Sequence, residues 1–312
     1  MTNELELFDL HCDTPTELYR NGTHLENNPH HVSLAGAEAF ERYTQVMAIY
    51  SPQALDDETA FRNFHKTADY LMHELERLCD RVTYVRSAES YQTEKTQATA
   101  FLAVEDARIL CGVRDRLKVL YARGVRFLTP VWGGESCMGG AHDTSVGLTD
   151  FGKQIIDDCF TMGIVPDISH ASEQTADDVF AIAAKHGKPV IATHSAAHSV
   201  RNHTRNLRDV HFEAIKQSGG IVGVCLCNAH LCDRGTAEIS DIVAHIEHYV
   251  SLGGEDIVAF GSDFDGTDLP RGIACPSDLI KVAEELARLN YSNEQIEKLF
   301  FKNANRFVIK NL

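Results

Sequence analysis

"AFLAVE", residues 100–105, is five apolar residues closed by a glutamate. A short run with no polar face reads as a parallel β-strand covered on both sides. Seven more short runs recur along the chain: "ELFDLH" (6–11), "TQVMAIY" (44–50), "VRFLTPV" (125–131), "GIVPDIS" (163–169), "PVIATHS" (189–195), "GIVGVCL" (220–226) and "DIVAFGS" (256–262). Four of the eight are near-continuous Val, Ile, Ala and Phe.

The segments between the runs carry helical spacing. In "FRNFHKTADYLMHELERL", Phe61, Phe64, Ala68, Leu71, Leu75 and Leu78 step by three and four, which predicts one apolar helical stripe. "SEQTADDVFAIAAKHGKP" opens on Ser172 as an N-cap and closes on Gly187 and Pro189. "PSDLIKVAEELARLNY" has Pro276 in a first turn, and "SNEQIEKLF" opens with Ser292 and Gln295 as a capping box. Eight strands alternating with helices predict a (β/α)8 TIM barrel of the metal-dependent hydrolase type, one domain over residues 1–312. A doubly wound sheet would need a glycine-rich phosphate turn after an early strand, and "LHCDTPTE" is not one. "GGESCMGGAHDTSVG" (133–147) reads as a long, mobile loop, spanning about 132–148, over the barrel mouth.

The formal net charge of −16, with no basic run, argues against nucleic acid or an anionic membrane surface as partner. "MTNELELFDLHC" has neither the basic nor the apolar region of a signal peptide, and no apolar stretch reaches the ~18 residues of a membrane span. The expected compartment is the cytoplasm, where the nine cysteines stay reduced. Cys225, Cys227 and Cys232 are the nearest cluster; small buried hydrophobes fit them better than a zinc knuckle.

Catalytic groups of such a barrel stand at the C-terminal ends of its strands. Asp9, His11 and Asp13 alternate with Phe8, Leu10 and Cys12, so an extended segment presents the polar three on one side. Glu105 ends "AFLAVE", His170 follows "DIS", His194 lies in "IATHS" and Asp263 in "GSDFDG". Any one of these alone is better explained as a cap or a satisfied polar group. Three imidazoles and three carboxylates converging on one rim need positive charge among them, because burying bare carboxylates together costs several kcal/mol each. Imidazole and carboxylate ligands without thiolate favour Zn²⁺, ahead of Mn²⁺, Co²⁺ or Fe²⁺. His142, in the loop, is placed to reach the site; Asp265 shapes the turn and Asp9 supports His11. His245 and His248 are expected on the polar side of a helix.

From "DLHCDTP" to "NANRFV" the chain resembles the membrane (renal) dipeptidase family of zinc metallopeptidases. The likeness is sharpest in "YARGVRFLT", "GLTDFGKQIIDDCFTMGIVPDISHAS", "VIATHSAAHSVRNHTRNLRD" and "FGSDFDG". The resemblance implies two Zn²⁺ ions bridged by Glu105 and a hydroxide, one held by His11 and Asp13, the other by His170 and His194. It implies Asp263 beside the bridging solvent as proton shuttle, and Arg205 gripping the C-terminal carboxylate of a small dipeptide. Ser169 and Ser195 are expected to orient the ligand histidines. The chain departs from the family where a histidine contacts the scissile carbonyl: Trp132 stands there. His142, a backbone N–H or the metal alone is left to polarise the carbonyl. Related amidohydrolases acting on N-acyl amino acids, lactones or phosphoesters, and a binding barrel without chemistry, are the alternatives. A homodimer is compatible with the sequence, C2 dimers being the commonest soluble oligomers, and no stretch of it demonstrates one.

Overall fold

The computed structural model describes residues 5–94 and 96–312. Among the described residues eight strands are formed: β1 (Leu7–Cys12), β2 (Tyr43–Tyr50), β3 (Val82–Tyr84), β4 (Ala98–Glu105), β5 (Val125–Thr129), β6 (Val165–Pro166), β7 (Val222–Val224) and β8 (Val258–Phe260). They pair in the order β6-β5-β4-β2-β1-β8-β7, every pair parallel, with β3 beside the start of β4.

The two ends of this sheet are joined by residues 189–195. Ile191 bridges to Asp167 beside β6, and Ala192 bridges to Val222 of β7. The ladder runs on through Ile168 N–H to Ile191 O (2.8 Å), Gly223 N–H to Ala192 O (2.8 Å) and Ser195 N–H to Gly223 O (2.8 Å). The sheet therefore closes into the barrel. The sequence reads 189–195 as a full strand; the structure makes it a connector held by single bridges. β3, in contrast, was not anticipated, because three residues among charged neighbours leave no periodic signal.

Two apolar layers show which face is which. Leu102, Val104, Val222 and Phe260 pack with helix residues such as Phe64, Leu71, Ile155, Val179, Phe212 and Ile246, outside the barrel. Phe8, Leu10, Phe101, Phe127, Ile191 and Ala259 form the inner layer. Tyr91 and Phe301 close one end of it, with ring centroids 6.0 and 6.3 Å from Phe8. Glu105 lies four residues beyond Phe101 on the same face of β4, so the interior runs from this aromatic plug to Glu105 at the open end.

Local chemistry sets the surrounding helices. Helix Asp57–Arg77 buries Phe64, Ala68, Leu71 and Leu75, and the Asp56 carboxylate caps it by accepting from Thr59 N–H. Helix Glu173–His186 begins at Ser172, whose Oγ accepts from Thr175 N–H at 2.9 Å, and ends at Gly187 in the left-handed region. Pro276 opens a short 3-10 turn (Pro276–Leu279) that leads into helix Ile280–Arg288. The glycine-rich segment after β5 is folded on itself rather than free: Gly139 bridges Leu148, Glu135 bridges Gly140, and Met138 and Ala141 are fully buried.

Candidate active site

Strict alternation would set His11 on the opposite face from Leu10. Between Asp9 and Cys12, however, β1 carries one more residue than β2, whose partners are Gln45 and Met47. This bulge lets Leu10 enter the inner layer while His11 also faces the axis, against Glu105 and His194. Asp9 sits behind the bulge, its carboxylate accepting from the backbone N–H of His11 (3.1 Å) and of Ser262 (3.0 Å). It ties β1 to the end of β8 and holds His11 through its backbone.

Asp13 occupies the N-cap position of helix Thr14–Asn21 but makes no capping bond with its side chain, which leaves the carboxylate free for the site. His170 and Asp263 take left-handed φ of 68° and 63°. Non-glycine residues held there cluster at functional sites, where surrounding structure fixes them.

Glu105, His170 and His194 form one ligand-spaced group, and His11, Asp13 and Glu105 a second, so Glu105 is common to both. The Nε2 atoms of His170 and His194 are 3.0 Å apart; Glu105 Oε1 lies 2.9 Å from the first and 3.3 Å from the second. Tetrahedral ligands on 2.0–2.1 Å bonds to zinc stand roughly 3.3 Å apart. Across the bridge, His11 Nε2 is 3.7 Å from Glu105 Oε2 and 4.0 Å from Asp13 Oδ1. Three of these buried atoms, His11 Nε2, Asp13 Oδ1 and Glu105 Oε1, have no hydrogen-bond partner among the described residues. Orphaned donor atoms that converge are what a cation would satisfy.

The second layer fixes the tautomers to match. His170 Nδ1 lies 3.1 Å from the Trp132 carbonyl, which can only accept, so Nδ1 carries the proton and Nε2 a lone pair. Thr193 Oγ1 stands 2.8 Å from His194 Nδ1 and 3.3 Å from His11 Nδ1, and donates its own proton to Asp167. Accepting from both rings leaves all three Nε2 atoms free. Asp167 also stands within ligand distance of His11 and His194. Its oxygens already accept from Thr129 Oγ1, Thr193 Oγ1 and the backbone N–H groups of Ser169 and Thr193, so it is a support, not a third ligand set. Neither Asp167 nor Thr193 was anticipated from sequence.

The charges point the same way. Burial and the neighbouring Glu105 push the Asp13 carboxyl well above its usual range. Burial works to lower His11, but Glu105, Asp13 and Asp263 outweigh it and hold the ring up at about 10. Burial and Arg205 bring His170 down to about 4, so that ring is neutral and free to bind a cation. Acids and imidazoles packed this closely are relieved by a divalent cation, which takes the place of the proton on His11 and leaves its Nε2 free to bind.

A cavity of about 470 Å³ opens over these groups, lined also by Tyr50, Trp132, His142, Arg205, His230 and Asp263. Trp132 stacks on His170 (5.6 Å, 29°) as well as orienting it. His142 lies 6.1 Å from the His170 ring, with Nδ1 3.0 Å from Thr204 Oγ1. Arg205, buried, donates from Nη1 to Ser195 Oγ (3.1 Å) and from Nη2 to the His194 carbonyl (2.9 Å). Ser169 Oγ accepts from His194 N–H. Asp265 lies at the cavity edge, and its carboxylate accepts from Thr14 Oγ1 and the His31 N–H. Tyr50, His230 and the first-helix residues Glu17 and Arg20 are lining residues that sequence did not single out. His245, expected on a polar helix face, is fully buried; its Nδ1 accepts from Ala197 N–H, bracing the segment beyond His194. Cys225, Cys227 and Cys232 form no ligand group among the described residues.

The family model described as membrane dipeptidase (peptidase family M19) matches residues 1–311. An uncharacterized protein encoded in the pqqA 5′ region of Klebsiella pneumoniae is 33% identical over 250 residues, 76% of this chain and 89% of that protein. Among solved structures, the metallopeptidase dipeptidase AC is similar at a TM-score of 0.91 with 27% identity, covering 98% of both chains. A metallopeptidase from Rhodobacter sphaeroides, bound to a phosphinate mimic of the dipeptide L-Ala-D-Ala, is similar at a TM-score of 0.91 with 25% identity, covering 99% of this chain and 100% of that one. Closed barrel, convergent ligand atoms and whole-length similarity agree: this chain is a metal-dependent peptide-bond hydrolase and belongs to the membrane dipeptidase family.

Proposed function

We propose that the protein hydrolyses small dipeptides at two zinc ions, held by His11 and Asp13 on one side, His170 and His194 on the other, and Glu105 between. The observation that carries this is the shared Glu105, whose two oxygens face two separate imidazole-containing groups with unpartnered donor atoms. Such a pair of cations, when bound, supplies a water acidified to a nucleophile at neutral pH and Lewis acidity for the scissile carbonyl.

The chain's own residues supply the rest. Each terminal nitrogen of Arg205 uses one N–H on Ser195 or His194, which leaves one N–H apiece for the substrate's C-terminal carboxylate. Asp263 is the proton carrier: burial raises its carboxyl to about 7, and Glu105 adds to this against the opposing His11. A carboxyl poised near neutrality takes a proton from the attacking water and returns it to the leaving amine. His142, brought down to about 4 by burial and Arg205, is a neutral ring at the cavity wall that can donate to the carbonyl oxygen. Trp132 holds His170 and walls the substrate space. The likeness to an enzyme bound to an L-Ala-D-Ala mimic supports acceptance of a D-residue at the C-terminal position.

The test is hydrolysis of free and C-terminally amidated L-L and L-D dipeptides, before and after chelator dialysis. Activity should fall at least 100-fold without metal and return with zinc at two equivalents per chain. Arg205→Ala should raise KM for free dipeptides at least tenfold and for amides little. Full activity after complete metal removal would refute the proposal.

A further inference from the structure

Arg205 and His142 line a second cavity, of about 450 Å³, as well as the one over the ligand atoms. The second space lies between the segment after β5, the start of helix Glu173–His186 and residues 195–211. Nothing in the reaction proposed above uses it. Its volume is almost that of the first, and the two meet at the guanidinium that is pinned to Ser195 Oγ and the His194 carbonyl.

That junction constrains a bound dipeptide, on the reading of Arg205 as carboxylate clamp. With the carboxylate on Arg205 and the scissile amide toward the metal ligands, two of the four substituents on the C-terminal Cα are fixed. The side chain and the hydrogen share the remaining two directions. Arg205 and His142 line both cavities, so the proposal takes one of these directions to lead past them into the second space. We propose that the second cavity receives the side chain of the substrate's C-terminal residue and selects a long cationic one.

The lining gives the preference its sign. Apolar contact is limited to a few residues such as Ile168 and Leu207, so a polar side chain fits better than an aromatic one. Once Arg205 is committed to the carboxylate, the formal charges left are Glu173 and Asp177 against Arg208. Arg208 is already engaged, 2.5 Å from Glu173 Oε1. Asp177 is 65% exposed and, among the described residues, bonds only to His211, at 3.1 Å, so its carboxylate keeps accepting capacity for an ammonium or guanidinium. A side chain the length of lysine or arginine spans about 6–7 Å beyond Cα, by bond-length arithmetic, and a cavity of this size admits it.

The experiment measures kcat/KM on the zinc-loaded enzyme for Ala-Gly, Ala-Glu and Ala-Lys, with the C-terminal residue in L and D form. Two variants fill the cavity from exposed positions outside the catalytic groups, Ser145→Trp and Gln174→Trp, and Asp177→Asn removes the charge. Wild type should favour Ala-Lys over Ala-Glu at least tenfold in one enantiomeric series. Either tryptophan should cut Ala-Lys at least tenfold while leaving Ala-Gly within twofold, and Asp177→Asn should narrow the Lys-to-Glu ratio at least threefold. Equal losses for Ala-Gly and Ala-Lys, or no loss with either tryptophan, would overturn the assignment, as would an unchanged ratio in Asp177→Asn. If even Ala-Gly is untouched by the wild-type enzyme, the dipeptidase reading fails instead.

Discussion

Thr193 is buried and touches no substrate space, yet one hydroxyl group decides the protonation of two rings. Its oxygen faces Nδ1 of both His11 and His194 and its proton goes to Asp167. Thr193→Val keeps shape and removes the hydroxyl; the two Nδ1–H groups lose their acceptor and Asp167 loses a donor. Metal affinity should drop about 10–100-fold, the usual cost of losing such a support, read as the zinc Kd in competition with a chelator. Thr193→Ser should restore it. An unchanged Kd in the valine variant would mean that the rings are oriented by packing alone. This residue also marks the limit of what the sequence disclosed. The candidate ligands His11, Asp13, Glu105, His170 and His194 stood out because imidazoles and carboxylates at the ends of apolar runs are costly and conspicuous. Thr193 and Asp167 stand in the same runs, but a threonine or aspartate at a strand end is ordinary, and only closure of the barrel brings them together.

Elements differ in how legible they were for a related reason. The long helices were plain from their stripes and caps, since those signals are local. The connector at 189–195 looked like a strand because its apolar run is one; barrel closure then reduced it to single bridges. His245 looked polar because its helix is amphipathic, whereas its ring is buried with a partner on each nitrogen, Ala197 N–H and the carbonyl of Leu231 at the end of the short helix Asn228–Leu231. Glu74 is the informative case. It lies on the helix Asp57–Arg77 but its carboxylate, almost fully buried, accepts from Leu25 N–H (2.9 Å) and from Arg77 Nη2 (3.0 Å), with His24 Nδ1 at 3.1 Å. Burial pushes its pKa up, and these bonds outweigh it to bring the group down to about 2. A carboxyl depressed in the folded state contributes stability that is complete above its unfolded value, near 4.5, and is lost as pH falls toward 2. Glu74→Gln should lower Tm by a few degrees at pH 7, since hydrogen bonds to a charged group are worth about 1.5–3 kcal/mol. The gap between wild type and variant should close between pH 4.5 and 2. Parallel Tm curves across that window would show that Glu74 does not titrate with folding.

At the scale of the whole molecule, closure of the barrel and assembly of the site are one event, because the segment that joins β6 to β7 also carries Thr193, His194 and Ser195. Two glycines make room for it. A Cβ on Gly223 would stand 1.9 Å from the Thr193 carbonyl oxygen, and one on Gly261 would stand 1.6 Å from the same atom and 3.1 Å from His194 Cα. Neither glycine has positive φ, so the requirement is space alone. The obstructing atoms are backbone, which cannot swing aside as a side chain can. Gly261→Ala should therefore push the connector outward, separating the His194 imidazole from Glu105 and weakening the ladder to β7 in the same step. Thermal unfolding should show a loss of several kcal/mol, in the range of severe overpacking, together with loss of bound metal. Gly133→Ala is the matched control: its Cβ would first meet the Gln53 side-chain amide, at 2.6 Å, and that amide can rotate away at the cost of one exposed hydrogen bond to the Gly133 carbonyl. The control should keep Tm within 1–2 °C, as expected of a surface change under about 0.5 kcal/mol. If Gly261→Ala retained both the wild-type Tm and the wild-type metal content, the connector would have slack, and closure would not be what holds His194 in place.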